Sequence, residues 1–83
     1  MMTETMWSLY IVRNRLGSLY TGITTNVERR FQQHQNGTGA KALKGKGPLL
    51  LEFYCQVGNR QRASQLEYQL KQLKKDAKRK ADH

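Results

Sequence analysis

Two phenols, one guanidinium, one imidazole and one carboxylate stand out in the chain as groups able to handle a phosphate or a proton. They are Tyr10, Tyr20, Arg30, His34 and Glu67. Tyr10 and Tyr20 lie in two short apolar runs, Trp7 to Val12 and Leu19 to Ile23. Read as strands, these runs place Ser8, Tyr10, Tyr20 and Gly22 on one face. Leu9, Ile11, Leu19, Thr21 and Ile23 fall on the other, because strand side chains alternate. Val27, Arg30, Phe31 and His34 recur at i, i+3, i+4 and i+7, so they share one helix face. Two readings of Arg30 and His34 stand side by side. One is a snorkelling arginine and a packed histidine, since burying an unpartnered guanidinium is costly. The other is an arginine and a histidine held over the tyrosine pair. Glu67 likewise reads either as an i,i+4 surface partner of Lys71 or as an oxygen ligand for a hard divalent cation such as Mg2+.

The elements that must position these groups follow from local signals. Trp7–Arg13 and Leu19–Ile23 form a predicted antiparallel hairpin, with Asn14 and Gly17 as turn formers. Thr25 and Glu28 fit a capping box, which predicts a helix from Asn26 to about Gln35, stopped by Asn36-Gly37. Residues 36–48 hold four glycines, three lysines and the single proline, and read as a loop. Leu49–Val57 reads as a third strand, its Cys55 as a buried, inert thiol. Asn59 caps a second helix, from about Gln61 towards Lys78. Its stripe of Ala63, Leu66, Leu70, Leu73 and Ala77 faces the core. The tail from Lys74 is polar and is expected to fray, as are residues 1–5 and 79–83. The order β-β-α-β-α predicts an α+β fold, a small, mostly antiparallel three-stranded sheet flanked by helices. One domain covers 1–83, with its core at about 7–78.

A chain of 83 residues buries only about two-thirds of its unfolded surface. Its sites should therefore be shallow and open, which suits a macromolecular substrate. The formal net charge is +9, from 15 Lys and Arg against 6 Asp and Glu, and the excess is spread along the chain. Such a balance points to a polyanion, because neutralising phosphates releases condensed counterions. Lys41, Lys44 and Lys46 in the glycine-rich loop, Arg29 on the first helix and Lys71 on the second are the candidate nucleic-acid contacts. The loop is not a Walker A motif, since no Gly-Lys-Ser/Thr precedes a helix at the required spacing. With one cysteine no internal disulfide forms, and no set of cysteines has zinc-ligand spacing. No apolar stretch approaches the ~20 residues of a membrane span, and the start resembles no signal peptide. A reduced, cytoplasmic setting is the expectation.

Taken together, Leu9-Tyr10-Ile11, Leu19-Tyr20-Thr21-Gly22-Ile23, Arg29-Arg30-Phe31 with His34, and Ala63-Ser64-Gln65-Leu66-Glu67 resemble the GIY-YIG nuclease domain. The resemblance covers about residues 7–80. It rests on the order and spacing of the pieces jointly, and it is closest to the short stand-alone bacterial UPF0213 group. It matches Tyr10 and Tyr20 to the signature tyrosines, Gly22 to the closing structural glycine, and Arg30, His34 and Glu67 to the family's arginine, histidine and metal-binding glutamate. Three departures are visible. Ser8 replaces the first signature glycine, Thr21 replaces an isoleucine, and no asparagine follows Asn59 where many catalytic members have one.

The resemblance implies metal-dependent hydrolysis of DNA phosphodiesters, with RNA as the other candidate, in a structure-selective repair or recombination role. Mg2+ or Mn2+ would sit on Glu67 and Arg30 would bind the phosphate. One of the tyrosines would orient or deprotonate water, aided by cations that lower a phenol pKa of about 10. His34 would assist proton transfer or hold a tyrosine hydroxyl. The alternative is a nucleic-acid-binding module of the same fold that does not cleave. A homodimer or a partner protein would help so small a module grip DNA.

Overall fold

The hairpin forms where alternation places it. β1 (Trp7–Arg13) and β2 (Leu19–Thr24) pair antiparallel, with Tyr10 opposite Gly22 and Val12 opposite Tyr20. Its turn is built by Asn14, whose side-chain oxygen accepts from the backbone N–H groups of Leu16 at 2.8 Å and Ser18 at 3.1 Å. Gly17 supplies the positive φ, +89°, that the turn needs. The computed structural model describes residues 5–81, with side chains described as far as residue 73.

α1 spans Val27–Gln35, and here the expected cap is corrected. The N-cap is Asn26, not Thr25: its side-chain oxygen accepts from the Arg29 N–H at 2.9 Å. An Asx side chain at this position reaches the orphan N–H three residues on, so the helix starts one residue later than a Thr25 cap would set it. Asn36-Gly37 ends the helix as expected, with Gly37 at φ +80°.

The glycine-rich segment is more structured than a plain loop. A 3-10 turn at Lys41–Leu43 drives Leu43 into the core, where it is fully buried. The backbone of Lys46 accepts from Arg15 N–H at 3.1 Å, and the Gln35 carboxamide clamps the backbone of Leu49. Apolar anchoring by Leu43 and Leu49 overrides the glycine content. β3 (Leu50–Gly58) then pairs antiparallel with β1, so the sheet order is β2-β1-β3 with β1 central and every pairing antiparallel.

α2 runs Arg60–Ala81, a turn beyond the expected end. Asn59 caps it, accepting from Arg62 N–H at 2.9 Å. α2 packs against all three strands. Ala63 is fully buried and Leu66 and Leu70 are half-buried, but Leu73 is 64 % exposed. The stripe therefore leaves the sheet after about three turns, because a helix rising 1.5 Å per residue outruns three strands spaced ~4.8 Å apart. Ala77 lies outside the described side chains, and in place of the expected fraying from Lys74 the helical backbone continues to Ala81. Residues 1–4, 82 and 83 lie outside the described residues altogether.

The core is small: Tyr10, Val12, Leu43 and Leu49 form one cluster, with Tyr20, Val27, Phe31, Ala40 and Leu51 packed around them, and Leu9 and Ala63 are buried as well. Cys55 is free and half-buried rather than fully buried, because β3 is an edge strand whose Phe53 and Tyr54 are also largely exposed. Among the described residues, no helix is long and apolar enough to cross a membrane.

Candidate active site

β1, β2 and α1 bring three rings together. Tyr10 and Tyr20 have centroids 6.3 Å apart, and His34 lies 5.7 Å from the first and 5.5 Å from the second. Tyr10 is 1 % exposed and His34 2 %. The hairpin register explains how so large a ring lies down here. Tyr10 faces Gly22, and a Cβ on Gly22 would come within 2.5 Å of the Tyr10 hydroxyl oxygen and 2.7 Å of Cζ. The glycine is required for the close approach, not for an unusual φ.

The hydrogen bonds fix the protonation of the pair. The Ala40 backbone N–H donates to His34 Nδ1 at 3.0 Å. A backbone N–H can only donate, so Nδ1 is the unprotonated nitrogen and the ring hydrogen of neutral His34 sits on Nε2. Nε2 lies 2.7 Å from the Tyr10 hydroxyl oxygen, so His34 donates and Tyr10 accepts. Burial, with the Arg30 charge second, holds the His34 pKa below its ordinary 6.5, which keeps this tautomer at neutral pH. Gly39 lets the loop come this close, since a Cβ there would collide with the His34 ring.

Arg30 acts on Tyr10 in the expected direction, but burial outweighs it, and the Tyr10 pKa is pushed up to about 12. Burial is the main cause; the charges of Tyr20 and Glu67 add to it, while a hydrogen bond and positive charge from Arg30 oppose it. Desolvation penalises a phenolate more than one nearby guanidinium can offset.

Arg30 stands half-buried beside this hydroxyl, and its Nη1 donates to the Gln33 side-chain oxygen at 3.0 Å. Of the two sequence readings, this is the one in which the arginine reaches the tyrosines. Glu67 is near enough to act on Tyr10 electrostatically. Its Oε2 also meets Lys71 Nζ at 3.1 Å, so the i,i+4 pair and the approach to the tyrosines coexist. Lys71 is thus turned onto a carboxylate. Lys41 and Lys44 are exposed and Lys46 half-buried on the anchored loop, and Arg29 is exposed on α1.

Among the described residues no cluster of three or more His, Cys, Asp or Glu forms. One carboxylate, the half-buried Glu67, is a donor set that suits Mg2+ or Mn2+. Mg2+ characteristically keeps several waters and takes one or two carboxylates beside substrate phosphate oxygens.

Sequence reasoning passed over Trp7, Gln33 and Arg60. All three line one open cleft that Arg30 shares. The available signal was that Trp7 is the single tryptophan of the chain.

A family model described as the GIY-YIG catalytic domain matches residues 6–81. A UPF0213 protein of Photorhabdus laumondii is 60 % identical over 77 residues, covering 93 % of this chain and 74 % of its own. UPF0213 proteins of Yersinia pestis and Yersinia pseudotuberculosis are each 56 % identical over 79 residues, covering 95 % of this chain and 83 % of theirs. No solved structure matches.

Proposed function

This chain belongs to the GIY-YIG catalytic-domain family, within its UPF0213 group, and from that premise and the site geometry we propose that it is a metal-dependent endonuclease hydrolysing DNA phosphodiester bonds. The observation that carries the reading is the bond from His34 Nε2–H to a buried Tyr10 hydroxyl that also has Arg30 beside it. The donor bonded to the hydroxyl is His34 Nε2–H, with the positive charge of Arg30 beside it, and both favour a phenolate once one forms.

The residues divide the work as follows. Arg30 binds a non-bridging phosphate oxygen and offsets the charge that grows in the transition state, for which a planar fork is suited. As the neutral phenol, Tyr10 would donate to the oxygen of the attacking water and orient it; to act as base it must first release its own proton to solvent, and the phenolate so formed would then accept the water's proton. At a pKa of about 12 the free protein holds only ~1 phenolate in 10^5 at neutral pH, so Tyr10 needs added positive charge. Glu67 would hold a divalent cation, after releasing Lys71; when bound, the cation supplies charge to the phosphate and the leaving oxygen. His34 steadies the phenolate as a donor. Neutral His34 cannot take the Tyr10 proton, because Nε2 already carries one and Nδ1 faces the Ala40 N–H. Tyr20 packs against both rings and borders the attack position. Gly22 keeps the Tyr10 ring down. Arg29, Lys41, Lys44, Lys46 and, once freed, Lys71 track the substrate backbone, giving shape-selective rather than sequence-selective contact and a place in repair or recombination in a cytoplasmic setting.

A second reading, a binding module without cleavage, is favoured by two specific observations. Tyr10 is held neutral, and Lys71 occupies Glu67. Incubation of the pure protein with labelled single-stranded, duplex and flap DNA, with Mg2+ or Mn2+ and with chelator, separates the two. Metal-dependent nicking that disappears in Glu67→Ala and Arg30→Ala supports the enzyme. Binding that survives Glu67→Ala, with no cleavage of any substrate, supports the module.

A further inference from the structure

Beside the tyrosine site lies an open cleft of about 400 Å3, walled by Trp7, Thr24, Thr25, Arg29, Arg30 and Arg60. It joins the start of β1, the end of β2, the first turns of α1 and the first residue of α2. Three guanidinium groups meet there, and none has a carboxylate partner among the described residues. Among the described residues the ion pairs are Arg13–Glu52 and Lys71–Glu67. Three like charges around one hollow repel one another and gain most from an anion that bridges them. The cleft also carries an aromatic face. The Arg60 guanidinium lies 5.5 Å from the centroid of the half-buried Trp7 ring. Arg60 is exposed, so an incoming flat group can take its place on the indole while the guanidinium turns to a phosphate.

We propose that this cleft seats the unpaired nucleotide next to the reacting phosphodiester, its base stacked on Trp7 and its phosphate held by Arg29 and Arg60. The assignment deepens the nuclease reading and rests on it for the placement of the reacting phosphate at Arg30. The substrate class follows from the aromatic wall. A base within a duplex is stacked on both faces and cannot stack on the Trp7 indole lining the cleft without being flipped out, at a cost of a few kcal/mol. A single strand, a flap or a branch offers the base freely. Stacking uses the face that every base has, so the cleft distinguishes unpaired from paired nucleotides while tolerating sequence. Arg30 belongs both to this cleft and to the Tyr10 hydroxyl, so a nucleotide seated here brings its neighbouring phosphate to the reacting groups.

Trp7 is the only tryptophan, so its fluorescence reports on this cleft alone. The protein is titrated, in chelator so that nothing is cut, with an oligothymidylate, with a blunt hairpin duplex of equal phosphate content and with inorganic phosphate. The inference expects saturable quenching by the single strand and little response to the other two. It also expects Arg60→Ala and Trp7→Ala to weaken binding of a labelled single strand about tenfold each, with Trp7→Phe close to the parent and duplex affinity almost unmoved. Thermal unfolding checks that the Arg60 variant, changed at an exposed position, is folded. An unresponsive Trp7, or equal quenching by duplex, overturns the inference. Quenching by single strands in a protein that never cleaves upholds the cleft and removes the nuclease. Cleavage with a silent Trp7 upholds the nuclease and removes the cleft.

Discussion

Replacing Gly22 by alanine tests whether the Tyr10 ring is held where the site needs it. The new methyl would stand 2.5 Å from the hydroxyl oxygen, 2.7 Å from Cζ and 3.0 Å from Cε1. Ordinary contact is about 3.5–4.0 Å, so the ring must retreat by roughly 1 Å. Tyr10 is 1 % exposed and bonded at 2.7 Å to an equally buried histidine, so it has nowhere to go without repacking. Overpacking of this kind costs about 1–3 kcal/mol. Loss of glycine entropy in the unfolded chain returns up to ~1 kcal/mol. A net destabilisation of about 1–2 kcal/mol is expected, read by urea unfolding. It corresponds to a fall of roughly 4–8 °C per kcal/mol in melting temperature for a domain this size. The decisive measurement is a double-mutant cycle with Tyr10→Phe, which removes the nearest atom. Gly22→Ala should then cost at least ~0.5 kcal/mol less in the phenylalanine background. The reasoning is refuted if Gly22→Ala is neutral, or if its cost is the same in both backgrounds. In a cleavage assay the same variant should lose activity, because the displaced hydroxyl no longer meets His34.

Further outcomes are expected at four other residues. Because His34 has a folded-state pKa below 6.5, the unfolded chain binds the proton more readily; stability is full above about pH 6.5 and is lost as pH falls through the folded value, and the urea midpoint at pH 5 should be lower than at pH 7.5. NMR of the imidazole should show the Nε2–H tautomer at neutral pH. Tyr10 behaves in the opposite sense: its raised value means stability is intact below about pH 10 and lost as pH rises towards 12, with a phenolate absorbance of midpoint about 12 that Tyr10→Phe removes. Glu67→Gln should change stability by less than ~0.5 kcal/mol, as expected for an i,i+4 pair whose lysine is exposed, while abolishing metal-dependent nicking. Arg30→Ala should lower the cleavage rate by about 10^2–10^3.

Much of the frame was legible because it depends on near neighbours. Alternation alone placed Ser8, Tyr10, Tyr20 and Gly22 on one face, and the register bears this out. The 3.6-residue period put Arg30 and His34 beside Phe31, and Asn59 marked the start of α2. The misreadings share a cause. Thr25 lost the cap to Asn26 because both are good caps and only the chain's entry angle decides between them. Leu73 and Cys55 looked like core, but how far a helix stays on a sheet, and which strand ends at an edge, are not local properties.

By itself, then, the sequence determined which groups exist, their order, and the elements that carry them, since φ/ψ preference and side-chain period act over a few residues. Tertiary structure alone decided the chemistry of those groups. It brought the Ala40 N–H to His34 Nδ1, which selects the tautomer and makes His34 a donor to Tyr10. It buried Tyr10 enough to raise its pKa despite the Arg30 charge beside it. It also gathered Trp7, Arg29, Arg30 and Arg60 from both ends of the chain around one cleft. Desolvation and the direction of a hydrogen bond depend on what surrounds an atom in three dimensions, and no spacing along the chain encodes that.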